Sequence, residues 1–389
     1  MNEAVIVSSV RSPVGRGRAD GSLASVHPID LSAAVMRAAV ERAGIPPAAV
    51  DDVLWGCAMP EGSQGLNVAR LAVLRSGFPV EVPATTVNRF CSSGLQSIAM
   101  AAQAIMTGME DVVIAGGVEM MSQVPMSGFH TRLHPDMAEA YIGMGFTAER
   151  VAHRWKVTRE DQDAWALESH RKAIAAWDAG RFDGQVIPIE VENARWEDGA
   201  KHASTITVTR DELPRADTSL EKLARLKPSF RPDGTVTAGN ASPFSDGAAA
   251  LVLMSRQRAE AEGRKPLARF VTYAVSGVEP DVMGIGPIKA VPKALGRAGL
   301  KIDDIALIEF NEAFASQVLA VSRELGMDPA KVNVNGGAIA LGHPLGATGS
   351  KLTTQLVHEL GRRGGGLGLV TMCVGGGMGA AGLFEVYAA

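Results

Sequence analysis

An internal repeat limits what this chain can fold into more than any other feature of its sequence. Residues 42–45 read Arg-Ala-Gly-Ile and are followed by Asp-Asp-Val at 51–53, and the pattern returns as Arg-Ala-Gly-Leu at 297–300 followed by Asp-Asp-Ile at 303–305. Solenoid repeats recur every ~20–50 residues, whereas these two copies lie more than half the chain apart. The repeat therefore predicts two similar domains.

Two further pairs of segments extend the repeat. Val-Asn at 87–88, before a glycine-containing helix start, returns at 334–335 before a glycine-rich one. Gly-Ala-Ala-Ala-Leu at 247–251 returns as Gly-Ala-Ala-Gly-Leu at 379–383. Strand and helix patterns alternate in both copies, which is typical of an α/β fold.

The copies are separated by a stretch of different character. Residues 122–245 are more polar and less periodic, with one clear helix predicted over 159–179. We predict an N-terminal half made of residues 1–121 and 246–268, a C-terminal half of 269–389, and an inserted loop domain of 122–245. The insertion would precede the last strand of the first copy.

The first copy also contains its two most buried elements. The helix after Cys91 is apolar on nearly every face, and residues 111–115 form an apolar strand that we expect to end at Gly116 and Gly117. Two copies of such a unit would pack their buried central helices against each other. Helix starts and strand ends at the junction are then the expected place for a functional site.

Composition and charge exclude several classes of function. The chain is 46% hydrophobic, its formal net charge is −4, and only 5% of its residues are aromatic, so neither a basic surface nor a stacking platform for nucleic acid is expected. The uncharged run at 366–384 is long enough for a membrane span, but the glycine triplet at 375–377 favours a strand, a turn and a second strand.

The cysteines and the first residues indicate a reducing compartment. Cys57, Cys91 and Cys373 are an odd number without CxxC spacing, which argues against a disulfide framework. Residues 1–10 lack the basic start and the long apolar run of a signal peptide. We therefore expect a cytoplasmic protein.

Cys91 has the sequence context of a reactive cysteine. It is placed at the predicted start of a helix, where free backbone N–H groups and the helix dipole stabilise a thiolate and lower its pKa. The alternative is that Cys91 is a small buried apolar residue, the usual role of a free cysteine. Its own neighbours do not decide between the two.

Three glycine-flanked loops of the second copy carry further candidate residues. Asn311 follows a strand and is well placed as a helix N-cap. His343, between Gly342 and Pro344, is a candidate acid–base group because those neighbours restrict its backbone. Cys373 precedes a glycine run whose amides could form an oxyanion hole.

Metal binding has little support. His130 and His134 have a spacing that would suit ligands on a helix, but Gly128 and Pro135 place them in a loop without other ligands nearby. No metal or redox cofactor is expected.

Over essentially its full length the chain resembles the thiolase family. The resemblance is carried by Asn-Arg-Phe-Cys-Ser-Ser-Gly at 88–94, Asn-Glu-Ala-Phe at 311–314, Gly-His-Pro at 342–344 and Cys-Val-Gly-Gly-Gly-Met-Gly at 373–379, in the family's order. It implies the thiolase fold, in which two similar α/β domains are stacked as α-β-α-β-α layers with an inserted loop domain covering coenzyme A.

The resemblance also implies a role for each motif. Cys91 would be the acyl-accepting nucleophile, His343 would activate it, and Cys373 would be the acid–base at the α-carbon. Asn311, through a water, and His343 would hold the enolate oxygen of acetyl-CoA. The amides of Cys91 and Gly375 would hold the thioester oxygen.

Coenzyme A would then be a substrate. By resemblance, Arg215 would bind its nucleotide end, Ser242 its pantetheine arm, and Met144, Ala313 and Phe314 would form the pocket wall. The other basic residues of the insertion are expected to form a mixed-charge solvated face; they are Arg210, Lys222, Arg225, Lys227 and Arg231.

Two departures from biosynthetic relatives favour a degradative 3-ketoacyl-CoA thiolase. Gly143 stands where those relatives commonly carry histidine, and the stretch 122–141 is shorter than the one that helps them form tetramers. We expect a homodimer, with a tetramer as the alternative, and a fatty-acid-oxidation enzyme as a further candidate partner. The competing functions are a biosynthetic acetyl-CoA C-acetyltransferase, a decarboxylating condensing enzyme, which the presence of Cys373 opposes, and a non-catalytic CoA- or lipid-binding protein.

Overall fold

The computed structural model describes residues 2–129, 132–197 and 200–389. Its strands are β1 Ala4–Arg11, β2 Gly15–Arg16, β3 Asp52–Gly56, β4 Thr85–Val87, β5 Val112–Met120, β6 Ile189–Glu197, β7 Ala200–Val208, β8 Ser245–Ser255, β9 Ala268–Gly277, β10 Leu307–Phe310, β11 Gly366–Val374 and β12 Met378–Val386. Its α-helices are α1 Pro28–Ala43, α2 Val68–Arg75, α3 Ser93–Thr107, α4 Met144–Arg154, α5 Arg159–Asp178, α6 Leu220–Ala224, α7 Arg256–Ala261, α8 Gly286–Ala298, α9 Ala315–Leu325, α10 Ala338–Leu341 and α11 Leu345–Arg362.

The predicted repeat is present as two sets of strands with the same topology. In the first set, β4 and β5 run parallel to β3, and β8 and then β1 follow antiparallel. In the second, a bridge at Val332 and strand β11 run parallel to β10, and β12 and then β9 follow antiparallel. A short pairing of β1 with β9 joins the two sets into one ten-stranded sheet.

The layers follow from the alternation of side chains along the strands. On β5, Val112 and Ile114 belong to the apolar cluster that contains α1, whereas Val113 and Ala115 belong to a cluster built from α3, α11 and strands of both sets. On β11, Leu369 packs instead with α8 and α9. Helices α3 and α11 therefore lie between the two sets of strands, and the layer order is α-β-α-β-α, as the resemblance implied.

Local signals explain the ends of several elements. Helix α1 stops at Gly44, which has a left-handed φ of 66°, as predicted. Helix α5 begins after a capping box formed by Thr158 and Asp161 and covers the predicted range to within one residue. Residues 366–384 form the antiparallel pair β11–β12, which confirms the prediction of two strands. Within the described residues, no helix has the length and apolar character needed to cross a bilayer.

The inserted region contains more structure than its sequence indicated. The helix α4 and the antiparallel pair β6–β7 were not predicted, because the region is polar and lacks a clear period. The predicted boundaries of the two halves and of the insertion stay predictions.

One strand end was predicted wrongly. Strand β5 continues through Gly116 and Gly117 to Met120. These glycines mark close approaches between backbones, since an added Cβ at Gly117 would lie 2.2 Å from the Gly346 carbonyl oxygen and one at Gly116 would lie 2.2 Å from that of Ala249. A glycine inside a strand often marks a site where another backbone approaches closely.

Replacing Gly117 with alanine should destabilise the protein by about 1–3 kcal/mol, because the new methyl group would collide with backbone that cannot move aside. Gly296→Ala is the matched control: Gly296 lies inside α8, and an added Cβ there meets no heavy atom within 4 Å. It should stabilise by about 0.4–1 kcal/mol. Equal midpoints for the two variants in urea unfolding would contradict the close contact at Gly117.

Candidate active site

Cys91 lies on a tight turn between β4 and α3. It occupies a 3₁₀ turn, Phe90–Ser92, and α3 begins two residues later. The preceding Phe90 has a φ of 42°, a left-handed value that costs energy for a non-glycine residue. The conformation is held because Phe90 N donates to Asn88 Oδ1 at 2.8 Å and Arg89 N donates to Ser93 Oγ at 2.9 Å.

The prediction that the helix start lowers the pKa of Cys91 is wrong. Burial raises the pKa of this thiol to about 11, and N–H donation from Gly375 and from Cys91 itself only partly opposes that effect. The nearby charge of Glu119 acts in the same direction as burial. The resting side chain is therefore a neutral thiol, and it needs a base to become a nucleophile.

His343 is held by contacts on three sides. Its backbone N donates to Ser245 Oγ at 3.0 Å, its Nδ1 lies 2.6 Å from Thr348 Oγ1, and its Nε2 lies 3.2 Å from Asn311 Nδ2. Because an amide N–H can only donate, Nε2 accepts and the ring proton lies on Nδ1, which donates to Thr348. Burial and, to a smaller extent, the charge of Lys351 together lower the pKa of His343 to about 3, so the ring is neutral.

Asn311 does not cap a helix, contrary to one prediction. Helix α9 begins at Ala315, with Phe314 at its N-cap position, and Asn311 is instead fully buried beside His343. Its Oδ1 has no hydrogen-bond partner among the described residues. That oxygen is available to a molecule entering the site.

Cys373 and Gly375 face Cys91 from the end of β11. The Cys373 side chain is fully buried, burial raises the pKa of its thiol well above the usual value, and a thiolate at Cys91 acts in the same direction. The backbone N–H of Gly375 donates to the Cys91 sulfur. The two thiols therefore lie in one site, one partly exposed and one enclosed.

The predicted wall residues surround Cys373. Ala313 and Phe314 belong to the same apolar cluster, and Met144 packs against it. The Met144 sulfur lies 3.8 Å from the position that a Cβ on Gly375 would occupy. Ser242 is tied to this wall because its Oγ donates to the Ala313 carbonyl at 3.1 Å.

A cleft of about 340 Å³ leads outward from Ser242. Arg215, predicted from the sequence, lines it together with Phe230, whose ring contacts Phe314 edge-on. Arg16 and Arg18 also line it but were not predicted, since they lie at the end of the short strand β2 and just after it, far from the insertion in sequence. The pair of arginines that flanks Gly17 was the sequence signal from which an anion-binding role could have been predicted.

The other basic residues of the insertion mostly pair with neighbouring acids, as expected of a solvated face. Lys222 contacts Asp217 at 2.8 Å, and Arg231 contacts Asp233 at 3.0 Å. Arg215, by contrast, forms no ion pair with any described residue and is exposed. Its charge is free to bind an anion in the cleft.

A metal centre is not found in the described part of the chain, where no group of three or more His, Cys, Asp or Glu side chains is placed to hold an ion. His130 lies outside the described residues, and His134 is largely exposed.

Comparisons with known proteins identify the family of the chain. Residues 4–257 match the family model "Thiolase, N-terminal domain" and residues 264–386 match "Thiolase, C-terminal domain". The chain is 54% identical to a 3-ketoacyl-CoA thiolase of Bacillus subtilis (99% of this chain, 100% of that one) and 47% identical to an acetyl-CoA acetyltransferase of Pseudomonas aeruginosa (98% of each). The crystal structure of the Bacillus anthracis acetyl-CoA acetyltransferase superposes with a TM-score of 0.90 at 43% identity, covering 99% of both chains. The chain belongs to the thiolase family.

Proposed function

We propose that this thiolase cleaves a 3-ketoacyl-CoA with CoA to give acetyl-CoA and a shortened acyl-CoA, reversibly, through an acyl-enzyme on Cys91. The observation that carries the proposal is that two thiols in different surroundings are neighbours, and that α11, the helix two residues after the neutral His343, packs against the turn with Cys91. A nucleophile and a separate acid–base are what a reaction with two proton transfers and one covalent intermediate needs.

The first half of the reaction consumes the 3-ketoacyl-CoA. His343 Nε2 takes the Cys91 proton, and the sulfur attacks the keto carbon. The bond between that carbon and the α-carbon then breaks, and its electron pair leaves on the acetyl-CoA enolate. The Cys373 thiol protonates the α-carbon and becomes a thiolate. His343, and Asn311 through a water, stabilise the enolate oxygen, which lowers the barrier to breaking the bond.

The second half releases the shortened acyl group. The Cys373 thiolate takes the proton of the incoming CoA thiol, and the CoA sulfur attacks the acyl group on Cys91. The N–H groups of Cys91 and Gly375 hold the developing oxyanion. The Cys91 sulfur leaves and regains its proton from His343, so both cysteines return to the thiol form without any net oxidation or reduction.

Within the family, we place the protein on the degradative side, acting on 3-ketoacyl-CoA substrates of more than one length. Gly143 in place of histidine and the similarity to the Bacillus subtilis 3-ketoacyl-CoA thiolase support this assignment. The second candidate is acetoacetyl-CoA synthesis, which the similarity to acetyl-CoA acetyltransferases favours.

Thiolysis rates across a series of 3-ketoacyl-CoA chain lengths separate the two. The degradative assignment predicts that kcat/KM for longer chains equals or exceeds that for acetoacetyl-CoA. Activity confined to acetoacetyl-CoA would support the biosynthetic candidate, and no cleavage of any chain length would refute both.

The cleft would hold coenzyme A, with its phosphates near Arg16 and Arg215. Replacing both arginines with alanine should raise KM for CoA by about tenfold or more, since charge-assisted contacts of ~1.5–3 kcal/mol would be lost. The chemistry lies elsewhere, so kcat should change little. Arg225→Ala is the control, because Arg225 pairs with Glu221 and lies outside the cleft. A lowered kcat with unchanged KM would contradict this placement.

We also propose that the protein is a cytoplasmic homodimer, with a tetramer as the alternative assembly and a fatty-acid-oxidation enzyme as a further candidate partner. Strand β4 is an edge strand, and large apolar side chains next to it are exposed: Leu66, Leu71, Leu74 and Val80. Exposed apolar patches of this kind are typical of subunit interfaces. Light scattering of the purified protein measures the mass directly, and a monomer at micromolar concentration would rule the homodimer out.

A further inference from the structure

Glu119 is a buried carboxylate that has no part in the mechanism above. It lies near the end of β5 and is 1% exposed. Burial raises its pKa, yet its two oxygens accept hydrogen bonds from several donors. Oε2 accepts from Ala58 N and Gly346 N, both at 2.8 Å, and Oε1 accepts from Met59 N at 3.2 Å and Gln64 Nε2 at 2.7 Å. No cation among the described residues pairs with it.

A chain of hydrogen bonds connects this carboxylate to the turn that carries the nucleophile. The Ala58 carbonyl accepts from Asn88 Nδ2 at 3.1 Å, and Asn88 Oδ1 accepts from the N–H of Phe90. That N–H belongs to the residue with the left-handed φ, directly before Cys91. Glu119 therefore supports, through residue 58 and Asn88, the strained turn that presents the sulfur.

A second chain of contacts connects the carboxylate to the base. Gly346 is the second residue of α11, and Thr348 on the first turn of that helix holds His343 Nδ1. By accepting from Gly346 N, Glu119 fixes the helix start that orients the imidazole. The same oxygen, Oε2, thus contacts the segment under Cys91 and the segment next to His343.

Three glycines allow these segments to approach. An added Cβ on any of them would lie within 3 Å of the Gly346 carbonyl oxygen: the distance is 2.6 Å for Gly56, 2.9 Å for Gly94 and 2.2 Å for Gly117. Cys91 lies three residues before Gly94, and His343 three residues before Gly346. The segments that carry Cys91 and His343 therefore both lead directly into the contact between α3 and α11. Glu119 is the polar group at that contact.

We infer that Glu119 is a positioning residue that sets the distance between the Cys91 sulfur and the His343 imidazole by binding both supporting segments with one carboxylate. The inference rests on the proposed roles of Cys91 and His343. Glu119 touches neither substrate nor reacting atoms and acts through Asn88 and Thr348.

Two substitutions separate the reach of the carboxylate from its charge. Glu119→Asp keeps the charge but is one methylene shorter, so it cannot hold both segments in place. Glu119→Gln keeps the length, removes the charge and puts an amide N–H where an acceptor is required. Both should lower kcat by about 100-fold, the effect expected of a misplacement near 1 Å, and leave KM for CoA unchanged. Glu359→Gln is the matched control, since Glu359 is a buried carboxylate at the far end of α11.

Alkylation of Cys91 by iodoacetamide provides a readout that a merely structural role would not move. Because the charge of Glu119 raises the pKa of Cys91, the pH profile of alkylation should shift to lower pH in Glu119→Gln. It should stay near the wild-type profile in Glu119→Asp and Glu359→Gln. Peptide mass spectrometry distinguishes Cys91 from the buried Cys57 and Cys373.

A double-mutant cycle on the alkylation rate tests the positioning itself and does not depend on turnover. His343→Asn should slow alkylation near neutral pH in the wild-type background and have little effect in the Glu119→Asp background, because the base is no longer in place. Independent, multiplicative effects would overturn the inference, as would a folded Glu119→Asp protein with wild-type kcat. If wild-type protein cleaves no 3-ketoacyl-CoA, the proposed function fails while this cycle still decides the role of Glu119.

Asn88→Ala covers the case in which the Glu119 variants do not fold. Asn88 is exposed, so its loss should leave the fold intact while cutting the link between residue 58 and the Cys91 turn. The expected result is a lower kcat with an unchanged melting temperature. An unchanged kcat in this variant would contradict the chain of contacts from Glu119 to Cys91.

Discussion

Replacing Cys91 with alanine is expected to lower kcat for thiolysis by at least about 10⁴-fold, since loss of the nucleophile removes the covalent route altogether. The fold should survive, because Cys91 is partly exposed on a turn whose hydrogen bonds come from Asn88 and Ser93. Steady-state assays with acetoacetyl-CoA and CoA measure the loss, and thermal unfolding confirms that the protein is intact.

Cys91→Ser is the informative companion to this variant. Serine keeps the size of the side chain but is a far weaker nucleophile toward a carbonyl near neutral pH, so its kcat should also be very low. Wild-type turnover by either variant would show that the acyl group is not carried by Cys91.

The second large effect is expected for His343→Asn, which should lower kcat by about 10²–10⁴-fold, the range for loss of a general base. The reason lies in the two pKa values. Burial holds the pKa of Cys91 at about 11 and that of His343 at about 3. Near neutral pH the sulfur is therefore protonated and the imidazole is free to accept the proton.

The same pKa values set the pH dependence. A thiol with a raised pKa gains thiolate only as the pH rises, so alkylation of free Cys91 should increase throughout the neutral range and level off only above its pKa of about 11. His343→Asn should lower the rate at neutral pH most, and added hydroxide should partly replace the missing base. An alkylation plateau below pH 8 in the wild-type protein would contradict a neutral resting thiol.

The fold was predicted best where local sequence signals and the internal repeat indicate the same elements. The repeat at 42–53 and 297–305 predicted two units of one topology, and the glycine stops and apolar periods located α1, α5 and the pair β11–β12. The structure also brings Cys91 next to Cys373 and Asn311 next to His343, although the members of each pair are separated in the chain.

The wrong predictions concern properties that depend on tertiary packing. The helix-start argument for Cys91 was local, whereas its pKa is set mainly by burial. From its sequence neighbours, Asn311 was predicted to be the N-cap of a helix, but α9 begins four residues later. Gly117 was predicted to end a strand. Its actual role is to allow the close approach of Gly346, which is distant in sequence and so could not be inferred from the neighbouring residues.

The residues that sequence reasoning missed share this cause. Arg16 and Arg18 reach the cleft only because the segment after β1 folds against the insertion. Glu119 offered one signal, a single carboxylate in an otherwise apolar strand, since a buried charge needs partners to be tolerated. Its partners at residues 58, 59 and 346 could be identified only from the fold.

The central claim is that Cys91 carries an acyl group that CoA can remove. Incubation of the protein with acetyl-CoA alone, followed by acid quenching and peptide mass spectrometry, tests it directly. We predict one acetyl group on the peptide containing Cys91, its loss when CoA is added before quenching, and no label in Cys91→Ala. A protein that turns over 3-ketoacyl-CoA without acetylation of Cys91, or with the label on another residue, would contradict the account.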